Sequence, residues 1–298
     1  MTRPPANPLQ VYWVDAFTRD RFRGNAAVVV PQAEGLTAEQ MQLIAREVNC
    51  SETAFISPAT VPGADMRLRW FTPKIEVDLC GHATVAALHV LISTGVIKTS
   101  LESLQIMHLQ TRSGVLPVTI DTTDPEASWI WLSLPPCQFQ PLSQEQGRGL
   151  LACLGLSSQV EPEPVVDSLN RDVLVAVDSL SSLSDLQPDF TSLGHLASQQ
   201  GWRGICVYSQ DTLEVDSVAH LRFFAPHCGI TEDPVTGSVS VPLVSFLQQK
   251  GQLEGFAMPV TLEQGDGLGR SGRVRVDLTE QPQLGGQAIT VMRGELYL

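Results

Sequence analysis

The chain has 298 residues, of which 43% are hydrophobic and 17% charged, and its formal net charge is −13. This composition is typical of a globular protein with two domains, and the acidic balance argues against nucleic acid or an anionic membrane as a partner. No segment approaches the run of about 18 apolar residues that spans a membrane, and the N-terminus lacks an apolar signal core, so a cytoplasmic location is predicted.

The first half is predicted to contain several strands and a first helix. Runs of β-branched and aromatic residues indicate strands at 10–17, 26–30, 53–56, 66–71, 104–109 and 114–120. Thr37 and Gln40 have capping-box spacing, and the apolar residues that follow recur at helical intervals, so a helix is expected to run to about Asn49. Glu52 then lies at a helix-to-strand junction, a position from which side chains often reach a cleft.

Strands also predominate in the second half. Similar runs indicate strands at 128–134, 172–177, 204–209 and 219–224, and near 256–262, 272–278 and 287–297. A helix is predicted from Ser143 to Leu154, with Gly155 as its stop signal. Another helix is predicted at 238–250, although Pro242 suits only the first turn of a helix.

One short motif occurs twice in the chain. Leu-Arg-Trp-Phe-Thr-Pro occupies 68–73, and Leu-Arg-Phe-Phe-Ala-Pro occupies 221–226. Each copy runs into a polar loop, then a glycine (Gly81 or Gly237), then an apolar, helix-like stretch. So long a repeat indicates two similar domains rather than a solenoid of short units. Two such domains are expected to bring their helix starts to one shared cleft.

The predicted fold class is α+β, because strands outnumber helices and several are adjacent, hairpin-like runs. Each half is expected to be a curved, mostly antiparallel, barrel-like sheet around one central helix. The domains are placed at 1–122 and 123–286. The last strand, at about 287–298, could return to the first domain.

The two glycines predict a binding role for the helix starts. A glycine has no Cβ atom, so its backbone can approach a ligand closely. The amides of Gly81 and His82, and those of Gly237 and Ser238, are expected to point out of their helix N-termini. Such ends bind a carboxylate or a developing enolate, and the Ser238 hydroxyl would add a donor. Each pair alone is compatible with ordinary capping, and the duplication favours binding.

The motifs that carry a family resemblance are spread over both halves. They are Asp15-Ala16-Phe17, Gly24-Asn25, Ile44-Ala45-Arg46-Glu47, Asn49-x-Ser51-Glu52-Thr53-x-Phe55, Arg69-Trp70-Phe71-Thr72-Pro73, Cys80-Gly81-His82-Ala83-Thr84 and Glu232-Asp233-Pro234-x-Thr236-Gly237-Ser238. In this order they resemble the PhzF-like family of phenazine biosynthesis, which belongs to the diaminopimelate-epimerase-like fold. The resemblance covers about 15 to 240, and its last two motifs are highly specific.

The resemblance implies two pseudo-symmetric domains, a cleft between them, no cofactor, a homodimer and proton-shifting isomerisation. It makes Glu52 the catalytic acid/base and His82 and Asp233 its polar catalytic partners. Loss of water in the cleft is expected to raise the pKa of Glu52 towards the working pH. The predicted substrate-binding residues are Gly81, Gly237, Ser238 and Asn25.

The cysteines predict neither disulfides nor a metal site, because the six are scattered without a Cys-x-x-Cys pair. In epimerases of this fold, two cysteines flank the substrate carbon, and Cys80 occupies the first of those positions. The second is placed at Pro234, which cannot exchange a proton. One-base chemistry through Glu52 is therefore favoured, and Cys80 is expected to pack as a small apolar residue.

The predicted function is a cofactor-independent isomerase that moves a proton on a small anionic organic acid, either an amino or a hydroxy acid. Two alternatives stay open: a racemase or epimerase that uses Glu52 or Cys80, and a protein that binds a small acid without turnover. Gly24-Asn25 could also be a simple turn. Arg69 and Arg222 could supply a positive field to the site, and pairing with acidic residues across the sheet is the simpler interpretation.

Overall fold

The computed structural model describes residues 8–98, 104–123, 128–157 and 160–298, and its contacts divide the chain into two units. Unit 1 runs to Ser133 and resumes with Gly285–Leu298, whereas unit 2 is the continuous segment Leu134–Leu284. In the order of the chain, unit 2 is therefore inserted into unit 1. The limits 1–122 and 123–286 drawn from the sequence stay predictions.

The elements follow one another in chain order. Up to Ser133 they are β1 (Leu9–Ala16), β2 (Asn25–Val30), α1 (Ala38–Val48), β3 (Glu52–Pro58), β4 (Met66–Phe71), β5 (Glu76–Val77), α2 (Gly81–Ser93), β6 (Leu104–Thr111), β7 (Gly114–Asp121) and β8 (Trp129–Ser133). They continue as β9 (Phe139–Pro141), α3 (Gln144–Leu154), β10 (Val165–Asp167), β11 (Asp172–Ala176), α4 (Leu180–Ser184), α5 (Phe190–Gln200), β12 (Gly204–Ser209), β13 (Ser217–Ala225), β14 (Ile230–Asp233), α6 (Gly237–Gln249), β15 (Val260–Gln264) and β16 (Gly272–Asp277). The last are β17 (Gln283–Gly286) and β18 (Ala288–Leu296).

The order of strand pairing is the same in both units. In unit 1, β1 lies antiparallel to β2, β2 parallel to β3, and β3 antiparallel to β4. Strand β4 then pairs antiparallel with β5 and parallel with β6, and β6 forms a hairpin with β7. In unit 2, the strands β10 to β16 repeat each of these pairings with the same orientation. The fold is thus α+β and internally duplicated, as the repeated motif predicts.

Each unit encloses one helix that is apolar on most sides. Helices α2 and α6 each bury most of their residues, and α2 packs against β1, β2, β3, β8 and β18. A helix without a polar face must be surrounded by other elements. Both helices begin at a glycine of the repeated segment, Gly81 or Gly237. Among the described residues, no helix is long and apolar enough to cross a membrane.

Local sequence signals place several helix ends correctly. Thr37 and Gln40 form the capping box of α1, and Gly155 ends α3 in the left-handed conformation at φ 71°. Pro242 lies inside α6 beyond its first turn, at a position that proline suits poorly. Helices α4 and α5 were not predicted. Their segments are rich in serine, and α5 buries only Leu193 and Ala197, which is too weak an apolar pattern to indicate a helix.

Candidate active site

The position of Glu52 is fixed by the turn between α1 and β3. Helix α1 ends at Val48, Asn49 adopts the left-handed conformation at φ 52°, and Glu52 is the first residue of β3. The hydroxyl of Ser51 donates to the carbonyl of Ala26 at 2.9 Å, which ties this turn to the start of β2. The glutamate side chain is consequently held at the end of a strand and is only 14% exposed.

Glu52 and His82 form a close, largely buried pair. Glu52 Oε2 lies 3.1 Å from His82 Nε2, and the histidine side chain is 10% exposed. The other ring nitrogen, Nδ1, lies 3.5 Å from Cys80 Sγ. The hydroxyl of Ser51 lies 3.3 Å from His82 Nε2. The thiol of Cys80, the imidazole of His82 and the carboxylate of Glu52 therefore form one chain of contacts within unit 1.

The pKa values of Glu52 and His82 both differ from those of the isolated side chains. Burial raises the pKa of Glu52, but the charge and hydrogen bond of His82 outweigh it, so the net pKa is lowered. Burial lowers the pKa of His82, and the sulfur of Cys80 and the carboxylate of Glu52 more than reverse this, so the net pKa is well above the usual value. Burial raises the pKa of the Cys80 thiol. The lowered pKa of Glu52 and the raised pKa of His82 both favour a carboxylate–imidazolium pair, whereas burial favours the neutral thiol of Cys80.

The predicted rise in the pKa of Glu52 is therefore wrong for the unliganded site. Loss of water acts in the predicted direction, but the sequence gives no distance between Glu52 and His82. At 3.1 Å, an opposite charge stabilises the ionised carboxylate more than burial destabilises it. The lowered pKa favours the ionised carboxylate of Glu52, which is the form that can accept a proton.

The N-terminus of α2 lies beside this pair. Gly81 is the first residue of the helix and Cys80 its N-cap residue, and no described side chain makes a capping hydrogen bond there. The first amides of a helix lack partners within the helix, and the macrodipole makes this end positive. The positive end of this helix therefore lies next to the Glu52–His82 pair, in a chain of net charge −13.

In unit 2, Asp233 is held at the start of α6. The Thr236 hydroxyl donates to Asp233 Oδ2 at 2.5 Å, and Gln264 Nε2 donates to the Asp233 carbonyl at 2.8 Å. Gln264 Oε1 accepts from the Thr236 amide at 2.7 Å. Gly237 is the first residue of α6, and no described side chain makes a capping hydrogen bond at its N-terminus. The predicted residues Asp233, Gly237 and Ser238 are thus grouped within this unit.

Asn170 is a residue that sequence reasoning missed. Pro242 has no N–H, so the carbonyl of Ser238, four residues earlier, lacks its helical donor. Asn170 Nδ2 donates to this carbonyl at 3.0 Å. The proline was the available signal, because a proline inside a helix leaves a carbonyl to be satisfied. The partner could not be identified without the strand register.

The strand registers show that Asn170 is the counterpart of Asn25. Asn25 stands two residues before Ala27, which pairs with Glu52, and Asn170 stands two residues before Asp172, which pairs with Gly204. Asn25 is 2% exposed and is the first residue of β2, opposite Ala16. Both asparagines thus occupy the same place in the duplicated fold.

The two units differ where the acidic side chains lie. Thr53 pairs with Phe71 and Ile205 pairs with Phe224, so the counterpart of Glu52 is Gly204. A Cβ atom at Gly204 would lie 2.1 Å from Cζ of Phe223, which excludes a side chain there. By the same comparison, Asp233 corresponds to Val77. Each unit therefore contributes an acidic side chain that the other lacks.

The placement of the second epimerase cysteine at Pro234 is wrong. Cys80 is the N-cap residue of α2, and the N-cap residue of α6 is Thr236, directly before Gly237. Threonine stands where a second thiol would be required, and its hydroxyl is engaged by Asp233. The conclusion that the chain lacks paired thiols is unchanged, because a hydroxyl does not exchange protons as a thiol does.

The two arginines of the repeated motif are structural. Arg69 forms a two-pronged contact with Glu76 at 2.6 and 2.8 Å, and Arg222 does the same with Glu232 at 2.9 and 2.8 Å. Each guanidinium also lies over a motif phenylalanine, at 5.0 and 5.1 Å. The simpler interpretation, pairing across the sheet, is confirmed. Glu232 lies on β14 and not in the first turn of α6.

One cluster of described residues has donor atoms suited to a metal ion. Glu52, Cys80 and His82 each offer one such atom, and these atoms lie within 4.8 Å of one another. The two ring nitrogens of His82 face different partners, since Nε2 faces the carboxylate and Nδ1 the thiol. Binding of one ion by all three groups would require the imidazole to leave one of them.

The turn before Asn25 yields a stability prediction. Gly24 has φ +60°, and an added Cβ would lie 2.1 Å from the carbonyl oxygen of Ala16. We expect Gly24→Ala to lower the free energy of unfolding by about 3 kcal/mol, through backbone strain and this clash. Gly35→Ala is the control, because Gly35 has φ +82° with nothing within 4 Å, and should cost about 1 kcal/mol. Equal losses in urea unfolding would contradict the clash.

Comparison with curated proteins gives long matches to isomerases. The chain is 34% identical to an uncharacterized isomerase of Clostridium acetobutylicum, covering 97% of this chain and 98% of that protein. It is 36% identical to an uncharacterized isomerase of Pseudomonas aeruginosa, covering 97% and 99%. Both relatives therefore match along nearly their whole length.

Comparison with solved structures identifies the fold. A PhzF-family phenazine biosynthesis protein of Bacillus anthracis matches at a TM-score of 0.85 and 28% identity, covering 98% of this chain and 100% of that one. A hydroxyproline epimerase of Agrobacterium vitis matches at a TM-score of 0.64 and 13% identity, covering 98% and 93%. The more distant match concerns the fold alone, which is of the diaminopimelate-epimerase-like type.

A family model gives the most specific assignment. The model of the phenazine biosynthesis-like protein family, PhzC-PhzF, matches residues 14–294. This range includes Glu52, His82 and Asp233, and it agrees with the long matches to curated isomerases. The chain belongs to the phenazine biosynthesis-like (PhzC-PhzF) family and is an isomerase.

Proposed function

We propose that this protein is a cofactor-independent isomerase that moves a proton on a small carboxylic acid, an amino or a hydroxy acid, with Glu52 as the proton carrier. The observation that carries the proposal is the buried Glu52–His82 pair, 3.1 Å apart, beside an uncapped helix N-terminus. A base, a positive charge and free amides are the groups that removal of a proton next to a carboxylate requires.

The proposed reaction has two proton transfers. Glu52 accepts a proton from an activated carbon of the substrate, so the C–H bond breaks, an O–H bond forms, and the electron pair moves towards the substrate's acid group. The protonated Glu52 then returns the proton to a different carbon, and a C–H bond forms there. The carboxylate is regenerated, so the cycle consumes no other reactant.

Stabilisation of the anionic intermediate is assigned to the start of α2. The amides of Gly81 and His82 and the His82 imidazolium would face the acid group on which charge develops. Such donors lower a barrier because they are in place before the charge appears, and removing one in comparable sites costs about 3 kcal/mol. A bound carboxylate would also compete with Glu52 for the imidazolium, which makes Glu52 a stronger base when substrate is present.

Other features of the function stay predictions. Asp233 is assigned to a substrate group by the resemblance, Gly237 and Ser238 by the duplicated helix starts, and Asn25 by its expected place in the cleft. The hydrogen bond from Thr236 keeps Asp233 in a defined position, which supports a role in orienting a substrate group. The homodimer and the cytoplasmic location also rest on the sequence. Light scattering after gel filtration measures the first, and cell fractionation the second.

The test is a screen of small amino and hydroxy acids in D2O, followed by proton NMR. An isomerase relocates a hydrogen between two carbons, so a new proton environment appears, and deuterium enters the product whenever the proton on Glu52 exchanges with solvent before it is returned. An epimerase exchanges deuterium at one stereocentre, with inversion there. A binding protein broadens the signals of an acid and leaves its protons in place. The last result, across acids that bind, would contradict the proposed function.

The His82–Glu52 pair also makes a prediction on pH. In His82→Gln, burial still raises the pKa of Glu52, and the positive charge of His82, which lowers that pKa, is absent. A base works above its pKa, so we expect the acidic limb of the exchange rate against pH to move to higher pH in this variant. The measurement is the deuterium exchange rate of an accepted acid over a pH series.

A second histidine, far from Glu52 in the chain, provides the control for this variant. His195 is exposed on α5 in unit 2, so His195→Gln removes an imidazole without touching Glu52. Its acidic limb should coincide with that of the parent protein. If the limb of His82→Gln also coincides, His82 does not control the ionisation of Glu52.

A further inference from the structure

The residue before each helix glycine does not cap its helix with its side chain. Cys80 is the N-cap residue of α2 and Thr236 is the N-cap residue of α6, and no described side chain makes a capping hydrogen bond at either end. For threonine, capping is the common and stabilising use of this position. In both units the side chain is directed elsewhere.

In unit 2, the side chain of Thr236 is directed to Asp233. Its hydroxyl donates to Asp233 Oδ2 at 2.5 Å and accepts from Gln264 Nε2 at 3.2 Å. The same amide nitrogen also donates to the Asp233 carbonyl, and Gln264 is 3% exposed. Because Gln264 supplies the donor to Thr236 Oγ1, the hydroxyl proton is left to point at the carboxylate. Both the position of Asp233 and the direction of this hydrogen bond are fixed.

In unit 1, the side chain of Cys80 is directed to His82. Its sulfur lies 3.5 Å from Nδ1, on the opposite side of the ring from Glu52, which lies 3.1 Å from Nε2. Cys80 is 8% exposed, and its carbonyl accepts from the Thr84 hydroxyl at 2.6 Å. A sulfur that accepts from Nδ1–H keeps Nε2–H aimed at the carboxylate.

We propose that Cys80 and Thr236 are equivalent positioning residues, each of which holds the neighbouring acid/base side chain, His82 or Asp233, instead of capping its helix. The assignment of His82 and Asp233 as working groups rests on the proposed function, whereas the contacts themselves do not.

The contact in unit 1 can be tested without a substrate. The groups that face His82 are Glu52 on β3, Cys50 and Ser51 in the turn before it, and Cys80. The His82 ring signal is identified by its loss in His82→Gln and is titrated by NMR. In Cys80→Ala the acceptor for Nδ1–H is gone, so we expect the titration midpoint to fall by about 1 pH unit. In Cys80→Ser an oxygen can replace the sulfur, and the midpoint should return towards that of the parent.

The contact in unit 2 is tested with an accepted acid from the exchange screen. Thr236→Val keeps the shape of the side chain and removes the hydroxyl, so we expect kcat to fall about 10–100-fold through misplacement of Asp233. Thr236→Ser restores a hydroxyl and should bring kcat within a few-fold of the parent value. If Thr236 acts on placement during turnover, the loss lies mainly in kcat and not in KM.

Two hydroxyls in the same helices provide matched controls. Thr84 Oγ1 donates to the Cys80 carbonyl, and Ser240 Oγ donates to the Thr236 carbonyl at 3.1 Å. Thr84→Val and Ser240→Ala remove a buried hydrogen bond from each helix start without contacting His82 or Asp233. They should lower thermal stability and leave the His82 midpoint and kcat close to those of the parent.

The two outcomes are separable from the proposed function. An unchanged His82 midpoint in Cys80→Ala, or equal kcat values in Thr236→Val and Thr236→Ser, would overturn the inference for that unit. Failure of the proposed function would appear instead as the absence of proton relocation in the parent protein. The NMR titration of Cys80→Ala would then still decide whether Cys80 holds His82.

Discussion

Replacing Glu52 with glutamine is expected to lower the rate of proton exchange by about 10²–10⁴-fold, the range typical of a general acid/base group. Glutamine keeps the shape of the side chain and can still contact His82, but it cannot accept a proton. The measurement is deuterium incorporation into an accepted acid under saturating substrate. Binding of the same acid, measured by calorimetry, should not weaken, because glutamine leaves the start of α2 unaltered and carries no charge that competes with the acid for His82.

A second glutamate serves as the control for this variant. Glu47 is exposed near the end of α1, so Glu47→Gln makes the same chemical change a few residues away. Its exchange rate should equal that of the parent protein. If Glu52→Gln exchanged protons as fast as Glu47→Gln, another group would have to carry the proton.

Glu263 is expected to make the stability of unit 2 depend on acid. Its side chain is 0% exposed and accepts from His220 Nδ1 at 2.9 Å and from the amides of Leu213 and Glu214 at 2.8 and 2.7 Å. Burial raises its pKa, but these hydrogen bonds outweigh it and bring the pKa from 4.5 to about 2. The carboxylate thereby fixes the segment between β12 and β13.

The sign of the effect follows from the direction of the shift. A pKa that is lower in the folded protein stabilises the fold above pH 4.5, and this contribution is lost as the pH falls towards about 2. The full contribution corresponds to about 3 kcal/mol. We expect Glu263→Gln to lose most of it at neutral pH, and to show a weaker dependence of its urea midpoint on pH below about 4.5.

Glu280→Gln is the comparison for that measurement, since Glu280 is exposed after β16. This variant should follow the parent protein at every pH. The same pH dependence in Glu263→Gln and in the parent would show that Glu263 is not the group whose ionisation stabilises unit 2.

The sequence predicts the duplicated core for a physical reason. Apolar helices that begin with glycine and strands rich in β-branched residues have local signals, and both copies of the motif repeat them. The sequence therefore predicts both ends of helix α2, Gly81 and Ser93, correctly. It predicts each end of α6 to within one residue. Helices α4 and α5 escaped prediction because serine and glycine interrupt their apolar pattern. The pairing of β18 with β1 joins residues far apart in the chain, and no local signal gives such a register.

The residue types of the site were predictable, but their energetics were not. The motifs named Glu52 and His82, yet the lowered pKa of Glu52 depends on a distance between residues on different elements. The counterpart of Cys80 was placed at Pro234, two residues before Thr236, which is the residue that precedes the helix. Asn170 could not be found at all, since its contact with the Ser238 carbonyl depends on the register of β11.

The antiparallel pairing of β18 with β1 sets an order for folding during synthesis. Leu134–Leu284 is one continuous stretch, so its strands are all available once the ribosome has passed that segment. The sheet that contains Glu52 must wait, because its strand β18 is translated only after the whole inserted segment. Domains generally fold as units, so the inserted unit is expected to fold without β18, and a chain truncated before Ala288 should protect β12 from proteases while leaving β1 susceptible.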